Sequence, residues 1–572
     1  MTAPDPPASS EDVPLTKAQA SALWAAWGDA LGFISELTDA AGLRRRTGDR
    51  PLTEPVGWKR RVGGRYGVIV ELPAGCYSDD TQLRLATGRA IGPHGFDVEA
   101  FAKIELPVWM AYALGGGRGT KAAAANLART TTQWFANTYE GWSQSGGNGA
   151  AMRIQPHVWH TKDSDDPGAY LPDVLRNAVC THSHPNGLAG AALHAVALAS
   201  VLTTGETITA AVLGDLIGSC RAVPDLIRAD PELSDYWLPL WERDAGRPFE
   251  DAWTGVLDDA QDAVQAAAGV GAQGADRWQA TLQTLHLFDE DLRGSGMLCA
   301  IAAIALGWCE EQPAQALVTA ANAVGSDTDT IATMAGALFG AVGGEAPPSE
   351  VLDAGLISAE AARLEDPGHG AGPAGHRYPD LLRWKAPRSQ ADAVVRAGNR
   401  LILLGLGDVE PLADPITGPQ SDFQWQWLRS QAGQTMIVKR RQTLQEIPPP
   451  PRSPSSDGQS TETHKEDGTL PFLEVETKRR SSSRTTPGPP AGVAAENHEP
   501  PAASQGEGAI EVDRVLSFLE RKGFQDAAVG FAVRRVAERG SVEQLIALAV
   551  TIRERIRAVP TQSADVQESK PE

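Results

Sequence analysis

This chain contains few cysteines and fewer basic than acidic residues. Its 572 residues include only five cysteines, which are widely spaced and form no C-x-x-C pair. We therefore expect neither a disulfide framework nor a thiolate zinc site. Basic residues number 51 against 72 acidic ones, which gives a formal net charge of −21. This balance argues against general binding of nucleic acids or anionic membranes, although it leaves room for a local basic patch.

A long apolar run and an N-terminal leader are also missing. The longest apolar run extends from about Met297 to Trp308, well short of the roughly 20 residues of a membrane span. The first seven residues, Met-Thr-Ala-Pro-Asp-Pro-Pro, contain no basic or apolar leader region. The sequence therefore predicts a cytoplasmic protein that does not contact membranes. Its hydrophobic content of 42% is sufficient for a large buried core.

The first two thirds of the chain have the pattern of a helical protein. At a typical length of about 150 residues per domain, a chain of this size would contain about four domains. From 17 to 350, however, Ala-rich stretches with apolar residues at i, i+3 and i+4 follow one another, separated by Gly, Pro, Asn and Asp. Only Gly67–Leu72 alternates like a strand. We predict one large all-α domain over residues 17–350.

The remaining segments differ in composition. Residues 351–446 are predicted to be a mixed extension of unknown role, with a helix followed by a strand in 391–405 and a strand in 435–441. Apolar periodicity returns in 509–559 and predicts a module of three helices, which is small enough to be marginally stable and suits docking to a protein partner. Composition predicts disorder in the N-terminus (1–16), in a Pro/Ser-rich linker (447–508) and in the C-terminal tail (560–572).

One candidate site is the acidic turn Ser78-Asp79-Asp80-Thr81, which precedes a helical run. Ser and Asp are favoured at a helix start because they meet unpaired N–H groups and the positive end of the dipole. Two adjacent carboxylates flanked by two hydroxyls also present the hard oxygen ligands that Mg²⁺, Mn²⁺ or Ca²⁺ prefers. Taken alone, the turn leaves capping and metal binding equally open.

A second acidic turn, Ser326-Asp327-Thr328-Asp329-Thr330, lies nearly 250 residues later. It too opens an apolar helix and offers two carboxylates with several hydroxyls. Each turn strengthens the interpretation of the other, since together they supply four carboxylates to a two-metal centre. Only oxygen ligands are offered, which disfavours zinc.

Glycine spacing indicates where helices approach each other. Gly28 and Gly32 lie one turn apart on the predicted first helix, and Gly336 and Gly340 do so on the helix after the second acidic turn. Such faces allow close backbone packing.

Asp29 and Glu36 are seven residues apart and would share a face of the first helix. For an acid on this glycine-lined, apolar helix, the residues alone favour a structural role.

Two loops are candidates for ligand contact. Gly146-Gly147-Asn148-Gly149 leads into an apolar segment, and glycine-rich loops let a ligand approach backbone N–H groups. A tight turn is the simpler interpretation. Thr181-His182-Ser183-His184-Pro185 begins another helix. It has no nearby third nitrogen ligand for a metal, so capping together with substrate contact is the better interpretation.

The order of these motifs resembles the ADP-ribosylglycohydrolase family over about residues 17–350. The resemblance implies an all-α fold, a large orthogonal helical domain, with a binuclear Mg²⁺ or Mn²⁺ site. It implies Glu36 and Asp80 as catalytic residues. The metal ligands that it implies are Ser78, Asp79, Asp80, Asp327, Asp329 and Thr330. The substrate-binding residues that it implies are Asn148, Gly149, His182, Gly117, Gly119 and Ser326.

The implied reaction is hydrolysis of the bond between the anomeric ribose carbon of ADP-ribose and an acceptor atom. The expected substrate is an ADP-ribosylated protein or a modified small molecule, and the expected cofactor is two Mg²⁺ or Mn²⁺ ions. The alternative is a non-catalytic ADP-ribose-binding regulator or adaptor. Family members act on arginine, serine, small ADP-ribosides or nucleic-acid adducts, and no residue here decides among them. Residues 447–572 would recruit a protein partner.

Overall fold

A computed structural model describes residues 14–310, 312–365, 375–381, 383–419, 422–447 and 512–558. The segments predicted to be disordered, 1–16, 447–508 and 560–572, lie outside the described residues apart from 14–16 and 447. The helices are α1 Lys17–Gly32, α2 Ala40–Thr47, α3 Asp79–Arg89, α4 Val98–Ala100, α5 Leu106–Trp109, α6 Arg118–Leu127, α7 Gln155–His160, α8 Leu171–Val179, α9 Pro185–Thr204, α10 Ala210–Ser219, α11 Val223–Ala229, α12 Leu238–Ala245, α13 Phe249–Ala268, α14 Gly274–Thr284, α15 Gly296–Ala305, α16 Pro313–Ala321, α17 Thr328–Gly343, α18 Ala354–Glu365, α19 Val512–Arg521, α20 Asp526–Arg539 and α21 Val542–Ala558.

Strands are few and fall into three antiparallel groups. Two are short hairpins within the helical part, and the third is a six-stranded sheet in the extension, ordered β10-β9-β7-β6-β5 with β8 paired to β9. The strands are β1 Trp58–Val62, β2 Val68–Leu72, β3 Ile91–Gly92, β4 Gly95–Phe96, β5 Val394–Ala397, β6 Arg400–Leu403, β7 Gly407–Pro411, β8 Ile416–Thr417, β9 Phe423–Ser430 and β10 Thr435–Arg441. The prediction of an all-α domain with a mixed extension and a C-terminal helical module is confirmed.

Helices α1 and α17 form the closest helix pair, because glycines on each face the backbone of the other. A Cβ atom added at Gly28 would lie 2.3 Å from the Ala332 carbonyl oxygen, and one at Gly336 would lie 2.3 Å from the Trp24 carbonyl oxygen. Both helices are buried over nearly their whole length. The glycine spacing in the sequence therefore predicted this contact correctly. It brings residue 29 of one helix to the start of the other.

Helix α9 runs through the core against α8, α15 and α17. It is the one described helix that is long and apolar enough to span a membrane by length and composition, and 78% of that apolar window is buried inside the protein. Its composition is that of a core helix in contact with other helices on most sides.

The extension departs from the prediction in one place. Residues 391–405 are expected to form a helix followed by a strand. The strand is present as β6, but strand β5 stands where the helix is expected, and the two form a hairpin. Ala397 pairs with Arg400 across a two-residue turn, Gly398-Asn399, with Gly398 at φ +60°. A Gly-Asn pair between apolar β-branched runs favours such a turn, and this signal outweighs the alanines. The strand predicted at 435–441 is β10 as expected.

The sheet is joined to the helical core by buried polar contacts. Asp353 accepts hydrogen bonds from the Thr435 backbone N–H, the Thr435 hydroxyl and the Tyr77 hydroxyl, each at 2.7 Å. Arg89 on α3 donates to Glu105 at 2.9 and 2.8 Å and to the Gln434 side chain at 2.7 Å. These contacts fix the extension against the same helix, α3, that carries the first acidic turn.

The C-terminal helices α19 to α21 contact the helical core through aromatic rings and one lysine. Phe518 and Phe531 lie 5.0 and 5.3 Å from the ring of Tyr236. Lys522 places its Nζ atom 3.2 Å from Glu99 and 3.3 Å from Glu232. Apolar contact and charge pairing together seat this module on the core.

Candidate functional site

The starts of α3 and α17 converge on the buried last turn of α1. Ser78 caps α3, and Asp79 and Asp80 form its first turn. Asp327 is the capping residue of α17, and Asp329 lies in its first turn. Carboxylate oxygens of Asp29, Asp80 and Asp329 all lie within 4.8 Å of one another, and the three residues are buried. The two acidic turns therefore do meet, as the sequence predicted, and Asp29 joins them.

Asp29 holds the first acidic turn in place. Its Oδ1 accepts the Ser78 backbone N–H at 2.9 Å, and its Oδ2 accepts the Thr81 backbone N–H at 2.9 Å and hydroxyl at 2.6 Å. Sequence reasoning favoured a structural role for this residue, and these bonds agree. Its position among the other carboxylates adds a second role, that of a candidate cation ligand.

The donor set fits a hard divalent cation. Asp80 Oδ1 is buried and has no hydrogen-bond partner among the described residues, while its Oδ2 accepts the Ser78 hydroxyl at 3.0 Å. Burial raises the pKa of both Asp80 and Asp329 well above the usual carboxyl range, and neighbouring carboxylates raise these pKa values further. Anionic oxygens without a compensating partner are costly in an apolar interior, and Mg²⁺ or Mn²⁺ would neutralise them.

Asp79 lies on the open side of the cluster. Burial raises its pKa to about 7, with additional raising by the Glu36 and Asp29 charges and lowering by Lys121. A Cβ atom added at Gly115, which has φ +136°, would lie 2.2 Å from Asp79 Oδ1. Only glycine fits so close to this oxygen, and the backbone of the loop that contains Gly115 therefore lies directly against the Asp79 carboxylate.

The second acidic turn contacts the glycine-rich loop. The Asn148 side-chain amide donates to Asp327 Oδ2 at 3.0 Å and to the Cys299 sulfur at 3.3 Å. The Thr330 backbone N–H donates to Asp329 Oδ1 at 3.0 Å. Asn148 therefore positions Asp327, in addition to lining the cleft described next.

A cleft of about 770 Å³ opens above the cluster. It contains most of the residues singled out in the sequence, including the aspartates of both acidic turns and residues of both loops. Predicted site residues that line it are Glu36, Asp79, Asp80, Gly117, Gly119, Asn148, Gly149, His182, Asp327, Asp329 and Thr330. A larger cavity of about 1160 Å³ lies elsewhere and shares no lining residue with this cleft. The chemistry of the lining, rather than size, identifies the cleft as the candidate site.

Ser78 and Ser326 differ from the other predicted site residues because neither lines the cleft. The Ser326 hydroxyl donates to the Ala323 carbonyl at 2.9 Å and so closes the turn before α17. Ser78 accepts the Asp80 N–H at 3.1 Å and donates to the Asp80 carboxylate. Both hydroxyls cap or orient the turns that carry the aspartates, and Ser326 does not face the cleft as the substrate contact that the resemblance implied.

Glu36 lies at the cleft wall beside Arg60. The Arg60 guanidinium lies 3.3 and 3.4 Å from Glu36 Oε2 and stacks over the Phe33 ring at 4.4 Å. Burial raises the pKa of Glu36, an effect that the Arg60 charge opposes and the Asp327 charge reinforces. A carboxyl group whose pKa is raised in this way keeps its proton to a higher pH than a free one does, which suits general acid or base catalysis.

His182 is a neutral side chain at the back of the cleft. Burial lowers its pKa to about 3, and its Nδ1 lies 2.7 Å from the Thr181 hydroxyl. A Cβ atom added at Gly149 would lie 3.0 Å from the His182 ring. Arg153 is fully buried behind this loop and donates to the Gly149 carbonyl at 2.9 Å and the Thr181 hydroxyl at 2.8 Å.

Sequence reasoning missed three residues that build the site. Arg60 binds Glu36, Arg153 supports the glycine-rich loop, and Arg84 lies buried below the cluster, donating to the Thr81 hydroxyl at 2.7 Å. Arg153 directly follows the Gly-Asn-Gly-Ala-Ala-Met run, so its place in that motif was a usable signal. Arg60 and Arg84 lie in ordinary strand and helix patterns that gave no sign of their partners.

Comparison with known proteins identifies the family of the chain. The family model described as ADP-ribosylglycohydrolase matches residues 10–359. Among solved structures, the chain is similar to an "ADP-ribosylglycohydrolase-related protein complex" at 19% identity and a TM-score of 0.40, covering 61% of this chain and 96% of that one. No curated protein matches it significantly in sequence. The family match spans more than half of the chain and contains every residue of the cleft, so the chain belongs to the ADP-ribosylglycohydrolase family.

Proposed function

We propose that this protein is a metal-dependent hydrolase that removes ADP-ribose from a modified acceptor by cleaving the bond at the anomeric ribose carbon. Family membership supports hydrolysis of ADP-ribose linkages in general. The observation that carries the finer proposal is the buried Asp29, Asp80 and Asp329 cluster, with one unpartnered carboxylate oxygen, at the floor of a cleft large enough for a dinucleotide-sized ligand.

Two Mg²⁺ or Mn²⁺ ions are the proposed cofactors. Asp80, Asp329 and Asp29 would hold one ion, and Asp79, Asp327 and Thr330 offer oxygens to a second in the same cleft. Bound there, such ions polarise ribose hydroxyls and a water molecule. Ser78 orients Asp80 through its hydroxyl, and Asn148 orients Asp327 through its amide.

The proposed proton carrier is Glu36. Cleavage at the anomeric carbon passes through an oxocarbenium-like state, so a proton must reach the leaving group and leave the attacking water. Glu36 lines the cleft, and its burial favours the protonated form while Arg60 fixes its orientation. His182 is neutral and therefore offers a hydrogen bond to substrate without adding charge.

The diphosphate of ADP-ribose is proposed to lie against the start of α6. Gly117 is the capping residue of this ten-residue helix, and Gly117 and Gly119 line the cleft. The first N–H groups of a helix have no internal partners and carry the positive end of the dipole, which favours an anion. Glycine at these positions gives a phosphate direct access to the backbone.

The deciding experiment is a panel of ADP-ribosylated acceptors assayed with Mg²⁺, with Mn²⁺ and with a chelator. Asp327→Ala and Asp79→Ala are expected to abolish metal-dependent release of ADP-ribose, whereas Asp244→Ala, an exposed carboxylate on α12 outside the cleft, leaves it unchanged. Full activity of the Asp327 or Asp79 variant at unchanged metal content contradicts the proposal.

A non-catalytic ADP-ribose-binding regulator is the alternative, and the same panel separates the two. Such a regulator would bind ADP-ribose, as calorimetry measures directly, and release none from any acceptor. The full set of carboxylates in the cleft favours the enzyme.

Recruitment of a partner by residues 447–572 completes the proposal. On α21, Val542, Ile546 and Val550 are 69%, 59% and 49% exposed, and their spacing of four residues places them on one face. An exposed apolar stripe of this kind suits a helix groove or a second helix of an acceptor-bearing protein.

A further inference from the structure

A cavity larger than the acidic cleft lies at the contact between the β1–β2 hairpin, α2 and the C-terminal sheet. Its volume is about 1160 Å³, and we call it the seam cavity. The hairpin tip packs on the sheet, since a Cβ atom added at Gly63 would lie 2.4 Å from the Trp425 ring. The seam cavity is therefore bounded by two parts of the chain, residues 38–73 and 352–435, that are nearly 280 residues apart.

Cations dominate the lining of the seam cavity. Five basic residues line it, and the single carboxylate, Glu71, already pairs with Lys59 at 2.7 Å. The basic residues are Arg45, Arg46, Arg50, Lys59 and Arg429. In a chain of net charge −21, this is a local reversal of sign, and it favours an anionic ligand.

The four arginines that line the cavity have no carboxylate partner among the described residues, and three of them are available to a ligand. Arg46 is occupied, because it donates to the Ile34 and Glu36 carbonyls at 2.8 and 2.9 Å. Arg50 meets only the Thr47 carbonyl, at 3.4 Å. Arg45 on α2 and Arg429 on β9 are exposed and line the cavity from the two parts of the chain that bound it. Several guanidinium groups around one cavity suit a ligand that carries several phosphates.

An aromatic surface accompanies these charges. Trp427 is half-buried in the β9 wall, and Leu412 beside it is 42% exposed. A nucleobase stacks on an indole while its phosphates contact arginine, and single-stranded nucleic acid repeats this pairing of ring and phosphate at every nucleotide, whereas an acidic peptide offers it only where an aromatic residue adjoins an acid. We propose that the seam cavity binds single-stranded nucleic acid, with phosphates on Arg45, Arg50 and Arg429 and a base on Trp427.

The test is fluorescence anisotropy of the full chain with a labelled oligothymidylate of about ten nucleotides. A chelator removes the metal ions proposed for the acidic cleft and so keeps that cleft out of the measurement. Three phosphate contacts predict a slope of about −2 for log affinity against log salt, and Arg45→Ala or Arg429→Ala should each reduce its magnitude by about 0.7. Trp427→Ala should weaken binding about tenfold and leave the slope unchanged.

Arg243→Ala is the matched control, because this exposed arginine lies on α12 and lines neither cavity. It should bind as the parent does, and thermal melts confirm that each variant is folded. Absence of binding at low salt overturns the proposal, as does unchanged binding by the Arg45→Ala/Arg429→Ala double variant. Tighter binding of a phosphorylated peptide of equal charge overturns it in favour of a protein ligand.

Discussion

Asp79, Asp80 and Asp329 share one physical difficulty, since each would be ionised near neutral pH in water and each is buried beside other acids. Burial and mutual repulsion raise their pKa values, for Asp79 to about 7. When the pKa of a carboxyl is higher in the folded than in the unfolded chain, its protonation favours the folded state. The whole of this contribution to the free energy of unfolding is present below the unfolded pKa. That contribution is lost as the pH rises through the folded pKa.

The metal-free protein should therefore lose thermal stability between about pH 4 and pH 7 through Asp79, whose unfolded pKa is 3.8. Mn²⁺ should restore it, and the rise in melting temperature on adding Mn²⁺ should be larger at pH 8 than at pH 5, because protons compete with the metal for the same oxygens.

Melting temperatures of parent and Asp79→Asn, with chelator and with Mn²⁺, measure this effect. The variant is the control for all other titrating groups, and its metal-free profile should be flatter than that of the parent over this range. A metal-free parent profile no steeper than that of the variant, or an Mn²⁺ effect that shrinks with rising pH, contradicts the prediction.

At the scale of single residues, the sequence showed which residue types could form the site but not which residues contact each other. Both acidic turns could be singled out because unusual residues are adjacent in the chain, whereas the roles expected of Glu36 and Asn148 came from the family resemblance. The pairing of Asp29 with the Ser78 and Thr81 N–H groups joins residues about 50 apart, and Glu36 with Arg60 joins two elements. Such contacts depend on packing, which residue spacing alone does not encode.

At the scale of elements, the contact between α1 and α17 determines where Asp29 and Asp329 lie. Gly336→Ala would place a Cβ atom 2.3 Å from the Trp24 carbonyl, so the helices must separate. We expect a loss of about 3 kcal/mol or more in the free energy of unfolding, together with weaker Mn²⁺ binding. Chemical denaturation and metal titration measure the two.

Gly343→Ala is the control on the same helix, because nothing lies within 4 Å of a Cβ atom there and the residue is exposed. It should leave stability unchanged or raise it by up to about 1 kcal/mol. Equal effects of the two substitutions would mean that helix propensity, and not close packing, is what matters.

The joint between the core and the sheet depends on a buried charge pair. Glu105 is fully buried, pairs with Arg89 and accepts the Tyr378 hydroxyl at 2.6 Å. Glu105→Gln leaves Arg89 buried without a countercharge and should cost about 3–5 kcal/mol. Glu71→Gln removes a pair that is largely exposed and should cost less than about 1 kcal/mol. Similar losses in urea unfolding would argue against a role for burial.

Helices and strands with a clear spacing of apolar residues could be predicted from the sequence. Elements whose structure depends on the conformation of a turn could not. The helices around 187–202 and 296–308 and the strand at 435–441 follow from apolar spacing. The β5–β6 hairpin was missed because Ala391 and its neighbours have helical composition, while the two-residue turn decides the structure. Helix α18 was not predicted, since one side of it packs against α1 and α3 and its own pattern is weak.

At the scale of the whole molecule, the C-terminal module is seated on the core while one face of α21 is open. Deleting residues 447–572 should leave hydrolysis of a small ADP-riboside intact and reduce activity on a modified protein, because the module would no longer recruit it. Because the deletion also uncovers Phe135 and Tyr236, Ile546→Asp gives a second test. It should cause the same selective loss in kinetic assays, and equal loss on both substrates contradicts recruitment.

The pairing of α1 with α17 also affects how the protein folds during its synthesis. The three clustered carboxylates belong to residues 29, 80 and 329, so the site closes a loop of some 300 residues. At about 5–20 residues per second, the ribosome releases α17 roughly 15–60 s after α1. During that interval a nearly uncharged apolar helix lacks the partner that buries it. Synthesis of this protein thus includes a period in which its first helix depends on chaperones or on transient contacts.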